Sequence, residues 1–328
     1  MSRIVASLAA VLASLALAAC GDDGAEPDAS AGGAPAAAID LVLDFQPNAV
    51  HTGVYVAERR GLFSERGLEL TIREPGASTD APRLLRSGRA GLAIMDIHDL
   101  AIARERGADL VGIAAIVQRP LAAVIAADSA RVSRPADLAG ARIGITGLPS
   151  DDAVLGSVLE SGGLSLADVD TVTIGFDAVP ALLADKIDAA TAFWNAEGVT
   201  LAARLPTAEL RVDDFGAPSY PELVLVTTPE LLDEGRPQIT AAVAAIADGY
   251  RLTAEDPDSA LSDLLAAVPE LSEPEQRAQL EAVLPALGRS RALDLGILSQ
   301  WARWDLEHGI VESLPDVARA FDLGVADD

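Results

Sequence analysis

Four carboxylates stand at or beside the ends of predicted strands: Asp44, Asp96, Glu197 and Glu222. Carboxylates in such places form strong charge-assisted hydrogen bonds with amino and ring N–H groups. Two aromatic residues, Phe45 and Trp194, fall at predicted strand C-termini, where a flat heterocycle can stack on a ring. Asn48 and His51 follow within one turn, and Ser150 and Asp151 open a later helix. Each residue also has a plain structural reading. Asn48, Ser150 and Asp151 can be helix caps, His51 can be a structural hydrogen-bonding group, and Glu197 suits the positive end of a helix dipole. Both rings can simply pack under loops. No metal is expected, because His51 has no partner ligands spaced around it. Arg119 is the one obvious cation beside these acids, which favours a neutral or cationic nitrogen compound over sulfonate, nitrate or phosphate. Backbone N–H groups at the helix start near Asp151 leave a route to an anion open.

These residues need strands and helices to hold them. From residue 39 short apolar strands alternate with helical segments: strands at 39–45, 68–73, 90–95, 110–117 and 121–126, then at 142–146, 171–176, 189–194, 209–213 and 222–227. Beyond Pro229 the pattern is nearly all helical. The βαβα order predicts an α/β fold with two lobes, each a mainly parallel sheet flanked by helices, and a helical C-terminus. Lobe I is expected over 39–128 plus 216–328 and lobe II over 129–215, with crossings near Asp128 to Ser133 and Gly216 to Glu222. Strand C-termini and helix N-termini would line a cleft between them, able to close by hinge motion.

Half of the 328 residues are hydrophobic and 4% are aromatic, which fits a globular chain long enough for two lobes. A formal charge of −26 makes nucleic acid and anionic surfaces poor partners. The run Ile4 to Ala19 behind Arg3 reads as a signal peptide over 1–19, too short for a confident membrane span. It ends Leu17-Ala18-Ala19-Cys20, and Cys20 is the only cysteine, so no disulfide forms within the chain. The pattern resembles a bacterial lipobox, with cleavage before Cys20 and lipid on its sulfur holding the protein at a membrane. Residues 20–38, rich in Gly, Ala, Asp and Pro, read as a flexible tether.

Several blocks carry a family resemblance. Val42 to Ala57 contains Asp44-Phe45-Gln46-Pro47-Asn48 with His51 and Gly53. Gly61-Leu62-Phe63, Met95-Asp96-Ile97-His98, Gln118-Arg119-Pro120-Leu121 and Leu138-Ala139-Gly140 follow in order, then Gly147 to Asp152, Phe193-Trp194-Asn195-Ala196-Glu197 and Tyr220-Pro221-Glu222-Leu223. Together they resemble the thiamine-biosynthesis-like solute-binding proteins, related to the sulfonate- and nitrate-binding group. That family holds binding components of ABC importers for thiamine pyrimidine precursors and also the yeast-type pyrimidine synthases. The resemblance implies a type II periplasmic-binding-protein-like fold. It implies a cleft that includes Asn195 and Tyr220 beside the residues above. It also implies a monomeric, lipid-anchored carrier in the cell envelope, delivering an aminopyrimidine to a permease with its ATPase. Riboflavin, another heterocycle or a sulfonate- or nitrate-type anion is the alternative ligand, and a surface sensor the alternative role. The synthases rely on a pyridoxal-phosphate lysine, a nearby histidine and a cysteine-rich run. By motif alignment these positions fall at Ile94, at His98 and around Pro221 to Val226, which has no cysteine. Without the lysine amine there is no Schiff base, so neither an enzyme nor a cofactor is expected.

Overall fold

Apolar runs rich in Val, Ile, Leu and Ala build the strands, and the longer segments between and after them coil into helices. The computed structural model of the chain describes residues 36–76, 80–147, 149–288 and 290–326. The elements of the first half are β1 (Ala37–Val42), α1 (Thr52–Arg59), β2 (Leu68–Arg73), α2 (Asp80–Arg86), β3 (Leu92–Asp96), α3 (Ile97–Glu105), β4 (Val111–Ala115) and β5 (Ala122–Ala126). Next come β6 (Arg142–Ile145), α4 (Pro149–Ser161), β7 (Asp170–Thr173), α5 (Ala178–Leu183), β8 (Ala189–Phe193), α6 (Val199–Ala202), β9 (Ala208–Arg211) and β10 (Leu223–Thr227). The C-terminal helices are α7 (Pro229–Glu255), α8 (Pro257–Ala267), α9 (Glu273–Leu287), α10 (Leu295–Glu307) and α11 (Val317–Ala320). The expected leader at 1–19, Cys20 and most of the 20–38 tether lie outside the described residues. β1 already begins at Ala37, inside the tether as read from the sequence.

Two five-stranded sheets form, ordered β2-β1-β3-β10-β4 and β7-β6-β8-β5-β9. Both are mixed. β10 runs antiparallel to β3 and β4, and β5 runs antiparallel to β8 and β9. These are the strands that the chain enters on passing from one sheet to the other. The passages are therefore 116–121 and 212–222. This corrects the first crossing: β5, placed in lobe I by the 39–128 boundary, pairs in the second sheet instead. The cause is local. Pro120 has no N–H for a ladder, so the apolar run 110–126 breaks there into two strands that serve different sheets.

Strand parity divides the core. Leu41, Leu43, Leu92 and Ile94 face a layer that includes Val54, Ile246 and Tyr250 of α1 and α7. Val42, Ala93 and Met95 face the opposite layer, with Leu100, Trp301 and Trp304 of α3 and α10. In the second sheet Val124, Ala126 and Ile143 pack on Leu155, Val158 and Leu159 of α4. α1 and α7 approach so closely that a Cβ on Gly249 would lie 2.0 Å from the Gly53 carbonyl oxygen. The Tyr250 hydroxyl then donates to the Val50 carbonyl at 2.8 Å, which ties α7 to the turn that opens α1. α9 meets both the turn at Ala49–His51 and the segment Trp194–Gly198, and so touches structure from both sheets.

Candidate functional site

The two antiparallel strands explain the shape of the site. Parallel β1 and β3 end at one edge of the first sheet, and β10, running the other way, begins there. Asp96 therefore closes β3 opposite Leu223, and the Ile97 N–H donates to the Glu222 carbonyl at 3.0 Å. In the second sheet β8 ends at Phe193 opposite Ala122, the first residue of β5. The two edges face each other across a cleft lined by Leu43, Asp44, Phe45, Asn48, Ile94, Asp96, His98, Asp99, Ser150, Asp151, Phe176, Thr191, Phe193, Asn195, Glu197 and Glu222, among others.

Nine of the twelve sequence-derived positions meet there: Asp44, Phe45, Asn48, Asp96, Ser150, Asp151, Asn195, Glu197 and Glu222. His51, Trp194 and Tyr220 do not line the cleft, and each stands behind it for a clear reason. His51 is fully buried; its Nδ1 accepts from the Asn48 N–H at 3.2 Å, which leaves Nε2–H to donate to Asp44 Oδ1 at 2.9 Å. It orients a lining carboxylate. Trp194 turns away from the cleft, donates from its indole N–H to the Pro120 carbonyl at 3.0 Å, and lies 4.1 Å under the Arg211 guanidinium. Tyr220 is buried edge-on to His98, ring centroids 4.8 Å apart. Arg119, the expected cation, is bound to Asp213 at 2.5 Å, outside the lining.

Local structure fixes the rest. Asn48 caps the turn at 49–51, accepting from the Val50 N–H at 2.9 Å. Asp96 caps α3, its Oδ1 accepting from the His98 N–H at 2.7 Å. Asp151 accepts from the Thr146 hydroxyl, the Gly147 N–H and the Thr191 hydroxyl, so a carboxyl group already occupies the start of α4. Glu222 Oε2 accepts from the Leu121 and Ala122 N–H groups, while its Oε1 has no partner among the described residues. Asn195, 2% exposed, also keeps an unpartnered Oδ1. Phe45 and Phe176 meet edge-to-face at 5.0 Å, one from each side of the cleft.

Three of the lining acids, Asp96, Asp99 and Glu197, are held toward their neutral forms. Burial first, then the Glu222 charge, raises Asp96 well above the ordinary carboxylate range. Burial and the Asp96 charge push Asp99 up to about 8 against the opposing pull of His98 and Arg106, and burial raises Glu197. His98 is 1% exposed. Burial works against its charge, but Asp305, hydrogen-bonded to Nδ1 at 2.8 Å, then Asp96 and Glu222, carry it up to about 10. The sequence reading of the site had no place for Asp305, Trp301 or Trp304, yet they form the box that holds His98. The signal was Trp301-x-x-Trp304-Asp305, a charged residue on the apolar face of an amphipathic helix.

Both shifts have the same consequence for stability. A folded Asp99 near 8 against an ordinary value of 3.8 means that the folded state holds a proton which the unfolded state has lost between those values. The His98 contribution is complete below 6.5 and is lost as pH rises through about 10. The melting temperature of the ligand- and metal-free chain is therefore expected to fall steadily from about pH 5 to about pH 9. A melting curve that rises or stays flat over that interval contradicts these assignments.

Two mixed sheets flanked by helices, with a cleft between their facing edges and a helical C-terminus, define a periplasmic-binding-protein fold. The alkanesulfonate-binding protein SsuA of Xanthomonas axonopodis pv. citri, solved with MOPS bound, superposes with a TM-score of 0.73 at 18% identity, covering 88% of this chain and 99% of that one. The model of the family described as NMT1/THI5 like matches residues 48–260, and the chain belongs to that family. It is 31% identical over 235 residues, 69% of each chain, to the formylaminopyrimidine-binding protein of Halalkalibacterium halodurans. It is also 25% identical over 248 residues, 71% of this chain and 72% of the other, to a 4-amino-5-hydroxymethyl-2-methylpyrimidine phosphate synthase of Saccharomyces cerevisiae. Fold and relatives support a solute-binding role. Among the described residues no helix is long and apolar enough to cross a membrane.

Proposed function

We propose that the chain is the binding lipoprotein of an ABC importer, that it captures a thiamine-related aminopyrimidine in the cleft, and that it passes this ligand to a membrane permease with its ATPase. Acyl chains on Cys20 hold the monomer at the membrane, facing outward. The observation that carries the reading is the lining itself. Among the described residues it includes Asp44, Asp96, Asp99, Asp151, Glu197 and Glu222, and neither Arg nor Lys. Such a surface matches N–H donors and offers sulfonate or phosphate no cationic side chain. Phe45 and Phe176 supply the apolar faces for a flat ring, and Asp44, Asn195, Glu197 and Glu222 are positioned to read its polar edge. The formylaminopyrimidine-binding relative supports the same ligand class.

The synthase alternative lacks its amine. Ile94, at the position aligned with the synthase lysine, is a buried aliphatic lining residue, and Lys186 is exposed beyond α5. The residues present do not fit a Schiff-base cofactor.

Thermal shift of the ligand-free chain tests the proposal. Formylaminopyrimidine and its hydroxymethyl analogue are expected to raise the melting temperature, while taurine and nitrate leave it unchanged. The phosphate ester of the analogue is expected to bind at least about tenfold more weakly, about 1.4 kcal/mol. A clear shift with taurine or nitrate and none with either pyrimidine overturns the reading.

A further inference from the structure

At the floor of the cleft one ligand atom each from Asp96, His98 and Glu222 lies within 4.8 Å of the other two. His98 and Glu222 are 1% and 0% exposed. Glu222 Oε1 and His98 Nε2 have no hydrogen-bond partner among the described residues. The other ends of these side chains are occupied. Glu222 Oε2 clasps the Leu121 and Ala122 N–H groups where the passage enters β5, Asp96 Oδ1 caps α3, and His98 Nδ1 is bonded to Asp305. His98 keeps its Nδ1–H on Asp305, so an ion that displaces the Nε2 proton meets a lone pair directed toward the two carboxylates. Three potential ligand atoms then converge on one buried point, where a bound cation takes the place of the protons that Asp96 and His98 hold in the ion-free chain.

We propose that Asp96, His98 and Glu222 bind a divalent transition-metal ion at the base of the cleft. The donor set has one imidazole nitrogen, two carboxylate oxygens and no thiolate, which suits zinc or manganese better than the all-oxygen preference of magnesium or calcium. Asp305 behind His98 is the usual outer partner of a metal-bound imidazole, fixing tautomer and ring orientation. Ligand atoms on one tetrahedral zinc stand about 3.4 Å apart at bond lengths near 2.1 Å, so small rotations of the two acidic side chains close the site. Three protein ligands leave a coordination position facing the cleft. The sequence could not show this set, because Glu222 joins the Asp96-x-His98 pair from the start of β10, far along the chain.

Zinc titrated calorimetrically into the full chain, after stripping with EDTA, tests the site. The expected result is one saturable ion per chain, with affinity weakened at least about 30-fold in Asp96→Asn and in Glu222→Gln, and about 10- to 100-fold in Asp305→Asn. The first two variants keep the acceptor oxygens that cap α3 and clasp β5. Should either fail to fold, zinc-edge X-ray absorption on the native chain decides, with one imidazole in an otherwise oxygen shell as the expected signature. No saturable site, a shell without imidazole, or binding unchanged in both folded variants overturns the proposal and leaves only diffuse association with an acidic surface.

Discussion

Asp305→Ala is expected to destabilise the chain by about 3–5 kcal/mol, the range for removing one partner from a buried ion pair. Asp305 and His98 are 0% and 1% exposed and bonded at 2.8 Å. Trp301, Trp304 and Tyr220 surround the imidazole with ring centroids at 6.3, 5.5 and 4.8 Å, so little solvent can compensate the orphaned charge. Loss of the carboxylate also removes the main influence that raises His98. The imidazole of the variant should titrate well below the native value of about 10, and an NMR titration of its ring resonances reads this directly. A variant with native melting temperature and native titration would mean that the pair does not form.

Trp194→Ala is expected to cost about 3–5 kcal/mol of stability, the range for truncating a large buried aromatic. Ligand affinity should change little in the fraction that folds. Trp194 is 3% exposed, held by Pro120 below and Arg211 above. Phe176→Ala provides the contrast. That ring is 49% exposed and meets Phe45 across the cleft, so its loss should weaken aminopyrimidine binding by about 0.5–1.5 kcal/mol with stability nearly intact. Chemical denaturation and calorimetric binding on both variants separate the two roles. Strong loss of affinity in folded Trp194→Ala would return that ring to the site.

Trp194 shows where sequence reasoning stops. β8 and the helix after it are legible from Ala189 to Glu197, and an aromatic residue at the strand end was expected. Phe193 and Trp194 are adjacent, and neighbouring strand residues point to opposite faces. A shift of one residue therefore exchanges cleft for core, and periodicity alone does not choose between them. His51 and Tyr220 repeat the lesson at one remove, since each touches a lining residue, Asp44 or His98, without lining the cleft. Strand order along the chain was readable, but strand direction was not. Nothing in Leu121 to Ala126 says that it runs against β8, and the lobe boundary moved with it. The Asp96, His98 and Glu222 cluster depends on that directional information too, because only an antiparallel β10 brings its first residues beside the last of β3.

The passages between the sheets also set the mechanics of the cleft. Arg119 in one passage is bonded to Asp213 in the other, and Glu222, closing the second, grips the backbone where the first ends. A rotation of one sheet layer against the other would have to bend this cross-braced pair of passages. Glu222 is bonded into that brace, so such a rotation would move it less than groups carried farther from the passages. Phe45 and Phe176 follow strands of different sheets, so their edge-to-face contact is one that such a rotation would open.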